Sequence, residues 1–340
     1  MPASSSPDKP ATIYEIAKQA GVSSSTVARV LRGDVKETWP STARRAARIR
    51  RLAEELGYRA NWRAKAFSEK RTWTVALFYT NTLKILDGIH AEIVEGLNDM
   101  LQSRGYSLML MPVESENFER TVQGSRLDGY ATMAETLPAA ASKLLRASGL
   151  PEVALNNAPN DGASGVVVDD FRGGYSAARH MLELGHRKVG FYLDSEARAH
   201  YSIDERLKGI KSCMREFGLD GGPEVFHVDH NEIKAVLADP ARRPTAMICY
   251  SHLEAKPILS FMYQLGLRVP DTLSVIGFND DQSDVTSPPL TTVSYNGHRM
   301  GKVAAQLLLR LIDRDQSADP HSVTLKHHLT VRGSTASIKS

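Results

Sequence analysis

Between Thr12 and Leu31 the run TIYEIAKQAGVSSSTVARVL leaves the chain few choices of local fold. Thr12 and Glu15 have the T-x-x-E spacing of a capping box, in which a hydroxyl and a carboxylate each satisfy a backbone N–H at a helix start. Ile13, Ile16, Ala17 and Ala20 recur on one face at helical spacing. Gly21 follows, the residue that tolerates the left-handed backbone of a helix end. Ser23 is placed to cap a second helix. On that helix Val27, Val30 and Leu31 turn back toward the first, leaving Ser24, Ser25, Ala28 and Arg29 outward. Two short helices and a tight turn of this kind are expected to form a helix-turn-helix. Its second helix can lie in a DNA major groove with its N-terminal residues at base edges.

A third helix is expected from Ser41 or Thr42 to Leu56, with Ala46, Ile49, Leu52, Ala53 and Leu56 as its apolar stripe and Gly57 as its stop. Its Arg44, Arg45, Arg48, Arg50 and Arg51 can sit near phosphates, which fix position without reading sequence. Charge supports that direction. Residues 1–71 hold 15 Lys/Arg against 7 Asp/Glu, whereas the rest of the chain holds 27 against 32. A basic head on a slightly acidic body points to a polyanion bound at one end. Next comes YRANWRAKAFSEKR (58–71), which reads either as a plain linker or as a hinge that becomes helical on DNA and wedges Phe67 into the minor groove.

From Trp73 the pattern changes. Short β-rich runs at 75–78, 107–111, 129–132, 153–155, 166–168, 189–193, 224–228, 246–249 and 273–278 are interspersed with amphipathic stretches such as 86–104, 172–184, 203–217 and 253–265. That alternation predicts parallel sheets covered by helices. A polar break, NNAPNDGASG (156–165), is a fair place for the chain to pass from one sheet to another. Ligands of open α/β sheets lie at the carboxyl ends of the strands, here in a cleft between two lobes. The first ten residues are polar and Pro/Ser-rich and lack the apolar core of a secretory signal, so a cytoplasmic location is expected. Cys213 and Cys249 are expected to be reduced and buried.

The order of motifs resembles the lactose-repressor/galactose-repressor (LacI/GalR) family of bacterial transcription regulators. Carrying the resemblance are residues 12–31, AEELGYRANWRAKAF (53–67), SRLDGY (125–130), HMLELGHRKVGFY (180–192), ERLKGI (205–210), GLRVPDTLSVIGFNDD (266–281), SPPLTTV (287–293) and LTVRGSTA (329–336). It implies an all-α helix-turn-helix head plus an α/β two-lobed regulatory domain like a periplasmic binding protein. The expected division is a disordered tail at 1–10, the DNA-binding domain at 11–59, a hinge at 60–72 and an effector-binding and dimerisation domain at 73–338. Within the last, lobe 1 takes about 73–160 and 295–320, and lobe 2 about 161–294 and 321–338.

Roles follow residue by residue. Ser24 and Ser25 match base-reading positions, and Arg29 a base or phosphate contact. Ser23 and Thr26 match hydroxyls that touch the DNA backbone. Asn61 matches a polar position at the hinge start, and Phe67 the apolar wedge, usually Leu, which the resemblance favours over the plain linker. Ala60 stands where the family usually has Pro. Short serines favour no single base strongly. Arg206 matches the arginine that grips the effector. Ser251 and His252 replace a usual Asn-Asp pair, and Asn279 a usual Asp, so two carboxylates are expected to be missing and Arg206 to be poorly compensated. A neutral or anionic effector, a sugar or a sugar derivative such as a sugar acid or phosphosugar, and not a cation, is the resulting expectation. The expected partners are a near-palindromic double-stranded operator and a second copy of the chain, paired through the lobe holding 86–104. No membrane, cofactor or metal is expected.

Three rivals stand beside this reading, one of them a nucleoid-type architectural protein that binds DNA without an effector, for which the large two-lobed body would be wasteful. An α/β enzyme with an accessory head would show a catalytic motif, but neither G-x-S-x-G nor G-x-x-x-x-G-K-[ST] occurs. The histidines of HVDH (227–230) and the pair His327-His328 read as surface residues and not as metal ligands. A transporter's solute-binding protein would share the two lobes but would need a signal peptide and no basic head.

Overall fold

The computed structural model describes residues 11–33, 39–58, 71–80, 85–124, 126–134, 136–157, 164–195, 200–313 and 322–338. The chain divides into two units, Met1–Arg71 and Thr72–Ser340.

In the first unit, α1 (Ile13–Ala20) begins with the expected capping box. Thr12 Oγ1 accepts from Glu15 N–H, and the Glu15 carboxylate accepts from Thr12 N–H at 2.6 Å. It ends at Gly21 with φ 68°, a backbone that only glycine adopts without cost. Ser23 caps α2 (Ser24–Arg32) by accepting from Thr26 N–H. The third helix, α3 (Pro40–Glu55), starts at Pro40, one or two residues before the expected Ser41 or Thr42. Proline suits the first helical position because its missing N–H would have no partner there. Ile16, Ala17, Val27, Val30, Ala46, Ile49 and Ala53 form the shared core.

The second unit holds two six-stranded sheets. The first contains β1 (Thr74–Tyr79), β2 (Ser107–Pro112), β3 (Gly129–Met133), β4 (Glu152–Leu155), β5 (Ser164–Val168) and β11 (Ser322–Leu325), in the order β11-β5-β4-β3-β1-β2. All its pairings are parallel. The second contains β6 (Val189–Asp194), β7 (Glu224–Val228), β8 (Ala246–Cys249), β9 (Ser274–Phe278), β10 (Thr291–Ser294) and β12 (His328–Thr330), in the order β12-β10-β9-β8-β6-β7. Only the β10–β12 pairing is antiparallel.

Helices cover both faces of each sheet, which is why strands such as β3, β8 and β9 are buried along their whole length. α4 (Gly88–Gln102) and α11 (Gly297–Ile312) pack on one face of the first sheet, with α5 (Phe118–Gln123) and α6 (Ala139–Ser148) on the other. α7 (Asp170–Glu183) and α8 (Tyr201–Glu216) cover one face of the second, and α9 (His230–Ala238) and α10 (His252–Gln264) its other face.

Three expectations need correction. The polar break at 156–165 is not where the chain changes lobes. It leads into β5, which pairs with β4, so the passage to the second sheet follows Val168. Residues 164–168 therefore belong to the first lobe, their Val166 and Val168 buried in its core. The same holds for residues 322–325, because β11 pairs with β5. The chain thus passes between the sheets at Asp169, again after Ser294, and a third time between Leu325 and His328.

Candidate functional site

In the first unit the outer face of α2 presents Ser24, Ser25 and Arg29, all exposed, beside the exposed cap Ser23 and the half-buried Thr26. The Ser23 hydroxyl lies 2.9 Å from both the Ser25 and Thr26 hydroxyls, so a short chain of alcohols runs along the helix start. Arg44, Arg45 and Arg48 line a shallow groove beside Gly21 and Val22 at the turn between α1 and α2. Arg48 donates to the Gln19 carbonyl at 3.3 Å, satisfying an acceptor near the end of α1. Asn61 and Phe67 lie outside the described residues.

In the second unit a cavity of about 360 Å³ opens where strands of both sheets end. Met133 and Ala134 reach it from the end of β3, Leu155 and Asn156 from β4, and Tyr250 and Asn279 follow β8 and β9. α4, α8 and α10 and the residues just before them supply most of the rest, among them Asp87, Ile89, His200, Arg206, His252 and Glu254, while Asp281 and Tyr295 follow β9 and β10. Open α/β sheets leave such a crevice because their connecting loops diverge at the strands' carboxyl ends.

Arg206, Ser251 and Asn279, singled out from the sequence, all line this cavity. Their local states differ from expectation. Arg206 is not poorly compensated. Its Nε donates to Asp170 Oδ1 at 2.8 Å, its Nη1 donates to the Tyr250 carbonyl at 2.6 Å, and its guanidinium lies 4.1 Å from the Phe278 ring centre. The side chains of Arg206 and Asp170 are 6% and 1% exposed, so this is an ion pair buried within the protein. Burial opposes the charge on Arg206, but Asp170, Tyr250 and Tyr295 together outweigh that and leave its pKa raised.

The pair is positioned by two glycines. A Cβ on Gly174 of α7 would lie 2.0 Å from the Arg206 carbonyl oxygen, and one on Gly209 of α8 would lie 1.9 Å from that of Phe171. The helices carrying Asp170 and Arg206 thus cross with backbones nearly touching.

Ser251 is occupied as a cap. Its hydroxyl accepts from Leu253 N–H at 3.0 Å and donates to the Glu254 carboxylate. Asn279 sits at φ 61°, in the left-handed region that Asn tolerates better than most residues. Its neighbour Asp280 receives a two-pronged contact from Arg332, with both N···O distances 2.7 Å.

Sequence reasoning missed the residues that set the cavity's charge. Asp87, Glu254 and Asp281 line it, so carboxylates are present despite the two replacements, and the expectation of a neutral or anionic effector, not a cation, loses the ground it stood on. Glu254 could have been found from S-x-x-E at 251–254, the capping-box spacing. His200 was also missed. Its Nε2 lies 2.9 Å from the Asn156 carbonyl and its Nδ1 2.7 Å from the Ser202 hydroxyl, so one side chain bridges the two lobes. Burial pushes the pKa values of His200 and His252 down, favouring neutral rings.

His327 is not the surface residue expected. Its side chain is 3% exposed at the third passage between lobes, and burial pushes its pKa down to about 4. Cys213 and Cys249 are free and buried. No helix among the described residues is long and apolar enough to cross a membrane.

Residues 12–61 match the model of bacterial regulatory proteins of the lacI family, and residues 178–335 match that of the periplasmic binding protein-like domain. A relative from Photobacterium profundum, the HTH-type transcriptional repressor PurR, is 29% identical over 95% of this chain and 98% of its own. The HTH-type transcriptional regulator RegA of Clostridium saccharobutylicum is 26% identical over 95% and 99%. Among solved structures, the regulator CelR in complex with cellobiose superposes with a TM-score of 0.67 at 26% identity, over 95% of this chain and 99% of that one. The lac repressor dimer bound to operator and the anti-inducer ONPF superposes with a TM-score of 0.79 at 21% identity, over 96% and 100%, which speaks to fold alone.

Proposed function

Because the chain belongs to the lacI family of bacterial regulatory proteins, and so is a DNA-binding transcription regulator, we propose that its grip on an operator is controlled by a small, carbohydrate-like molecule bound between the two lobes. The observation that carries this reading is the cavity itself. It is about 360 Å³, the size of a small-ligand site, and combines an apolar wall of Ile89, Met133 and Leu155 with convergent hydroxyl, amide, imidazole and carboxylate groups. One structural neighbour is a cellobiose complex, and another, from Enterococcus faecium, has bound ribose.

In this reading the protein acts in the cytoplasm as a homodimer, and two heads meet two half-sites of a near-palindromic operator. Ser24, Ser25 and Arg29 face the bases, while Ser23 and Thr26 meet the DNA backbone. Asn61 opens the hinge, and Phe67 enters the minor groove between the half-sites. Arg206, with Asp170 behind it, and Asn279 hold the effector. The effector shifts the regulator between states only to the extent that it binds them unequally.

The test has two parts. Selection from random duplexes should return a palindromic site, and Arg29→Ala should abolish its retention with the melting temperature unchanged. Phe67→Ala should weaken that site more than random DNA. Sugars and sugar derivatives should then be screened by thermal shift, because a ligand selective for the native state raises its apparent stability. Retention of every duplex alike, or a screen with no active compound, would sink the proposal.

A further inference from the structure

Resting on the reading of the interlobe cavity as the effector site, we propose that its effector carries a protonated amine, as an amino sugar or aminated polyol does. Asp87, Glu254 and Asp281 line the cavity, and among the described lining residues Arg206 is the one Lys or Arg. That arginine is already matched by Asp170, so carboxylates outnumber unmatched Lys and Arg among the described residues of the wall. The next cation along α10, Lys256, one turn past His252, is not part of the wall.

The carboxylates come from both lobes. Asp87 precedes α4 on the first, while Glu254 and Asp281 belong to the second. They converge where the lobes meet. A Cβ on Gly88 would stand 3.4 Å from both Cγ and Oδ2 of Asp281. Asp281 of the second lobe thus packs against Gly88 of the first, the residue after Asp87, so carboxylates from both lobes line one cavity and repel one another. A cation between them turns that repulsion into attraction.

A second, independent observation concerns unused polar atoms. The Tyr295 hydroxyl and His252 Nδ1 have no hydrogen-bond partner among the described residues, although both side chains line the cavity and the two residues are 3% and 5% exposed. His252 Nε2 lies 3.6 Å from Asp281 Oδ2, and a neutral ring with its proton on that nitrogen would offer Nδ1 as an acceptor. An ammonium has three donors and no acceptor, which suits a wall of carboxylates, an imidazole lone pair and a phenol oxygen. Ile89, Met133, Leu155 and Leu253 are left to cover the ligand's carbon frame.

The experiment uses the full chain and matched compounds. Glucosamine, galactosamine and mannosamine are compared with their parent hexoses and N-acetyl derivatives, by thermal shift and then by calorimetry at low and high salt. At least one free amine is expected to raise the melting temperature and bind at least about tenfold more tightly than its neutral counterparts, with affinity falling as salt rises. Asp281→Asn and Glu254→Gln are each expected to cost about tenfold in that affinity and to flatten its salt dependence. If either fails to fold, as judged by its unliganded melting temperature, Asp87→Asn carries the same expectation. A neutral hexose that binds as tightly as its amine overturns the proposal, as does the absence of any effect from all three amines. If a neutral sugar stabilises the protein and alters operator retention, the carbohydrate-controlled regulator stands while the amine is rejected. If no compound changes either property, both fall.

Discussion

Arg206 meets Asp170, the Tyr250 carbonyl and the faces of Phe278 and Tyr250, out of contact with solvent. Removing one partner of such a pair leaves a bare charge in the interior, which costs about 3–5 kcal/mol. Asp170→Ala is therefore expected to lower unfolding free energy by that amount, measured by urea denaturation. A smaller loss than Arg179→Ala, which breaks only an exposed helix pair, would show that the buried pair is not held as described.

The histidines make a separate statement about pH. His180, His186, His200, His252 and His327 all have pKa values pushed below the usual 6.5, chiefly by burial, His327 to about 4. Below pH 6.5 the unfolded chain takes up protons that the native rings refuse. Stability is thus full above pH 6.5 and falls as pH drops toward 4. Glu152 and Glu254, whose pKa values burial raises, have the opposite sign over part of that range, above pH 4.5. The melting temperature is expected to fall between pH 6.5 and 5, with a shallower slope for His327→Gln. Of these residues the sequence marked Arg206, because its motif is contiguous, but not Asp170, which comes from a distant segment and meets Arg206 only through folding. His327 was misjudged for a related reason: its burial depends on a lobe crossing that no local pattern announces.

At the scale of elements, α7 and α8 pack backbone to backbone through Gly174 and Gly209, and α4 and α11 do the same through Gly96 and Gly301. A methyl group at Gly174 or Gly209 must push the helices apart. Gly174→Ala and Gly209→Ala are each expected to cost about 1–3 kcal/mol, as overpacking does, and to weaken effector binding by shifting Arg206. Gly221→Ala, where a Cβ meets nothing within 4 Å, serves as the control. A calorimetric titration alongside denaturation separates the two effects. Element type and order were legible wherever caps or apolar runs were strong, as in α1, α2 and β8. The lobe membership of β5 and β11 was not, because strand order is decided by pairing partners far away in sequence. A polar break such as 156–165 marks any loop equally well.

At the scale of the whole molecule, charge is divided between head and body, with 15 Lys/Arg against 7 Asp/Glu in the first 71 residues. Each phosphate neutralised contributes about −0.9 to the slope of log affinity against log salt. Replacing both Arg44 and Arg45 with Gln is expected to reduce that slope by about 1.8 while leaving base preference intact. Filter binding from low to high salt would measure it, and an unchanged slope would place these arginines away from the phosphates.

The three passages between the sheets have a consequence for how the chain is made. The first lobe's sheet closes only with β11 and the second's only with β12, so the first cannot be completed before residue 325 has been synthesised, nor the second before residue 330. The helical head, by contrast, draws on residues 12–58 alone. A stop codon after residue 71 but before residue 322 would therefore release the helical head with both halves of its receiver unfinished. Such alleles should be deaf to the metabolite, a genetic signature of a sensor threaded back and forth through both of its own halves.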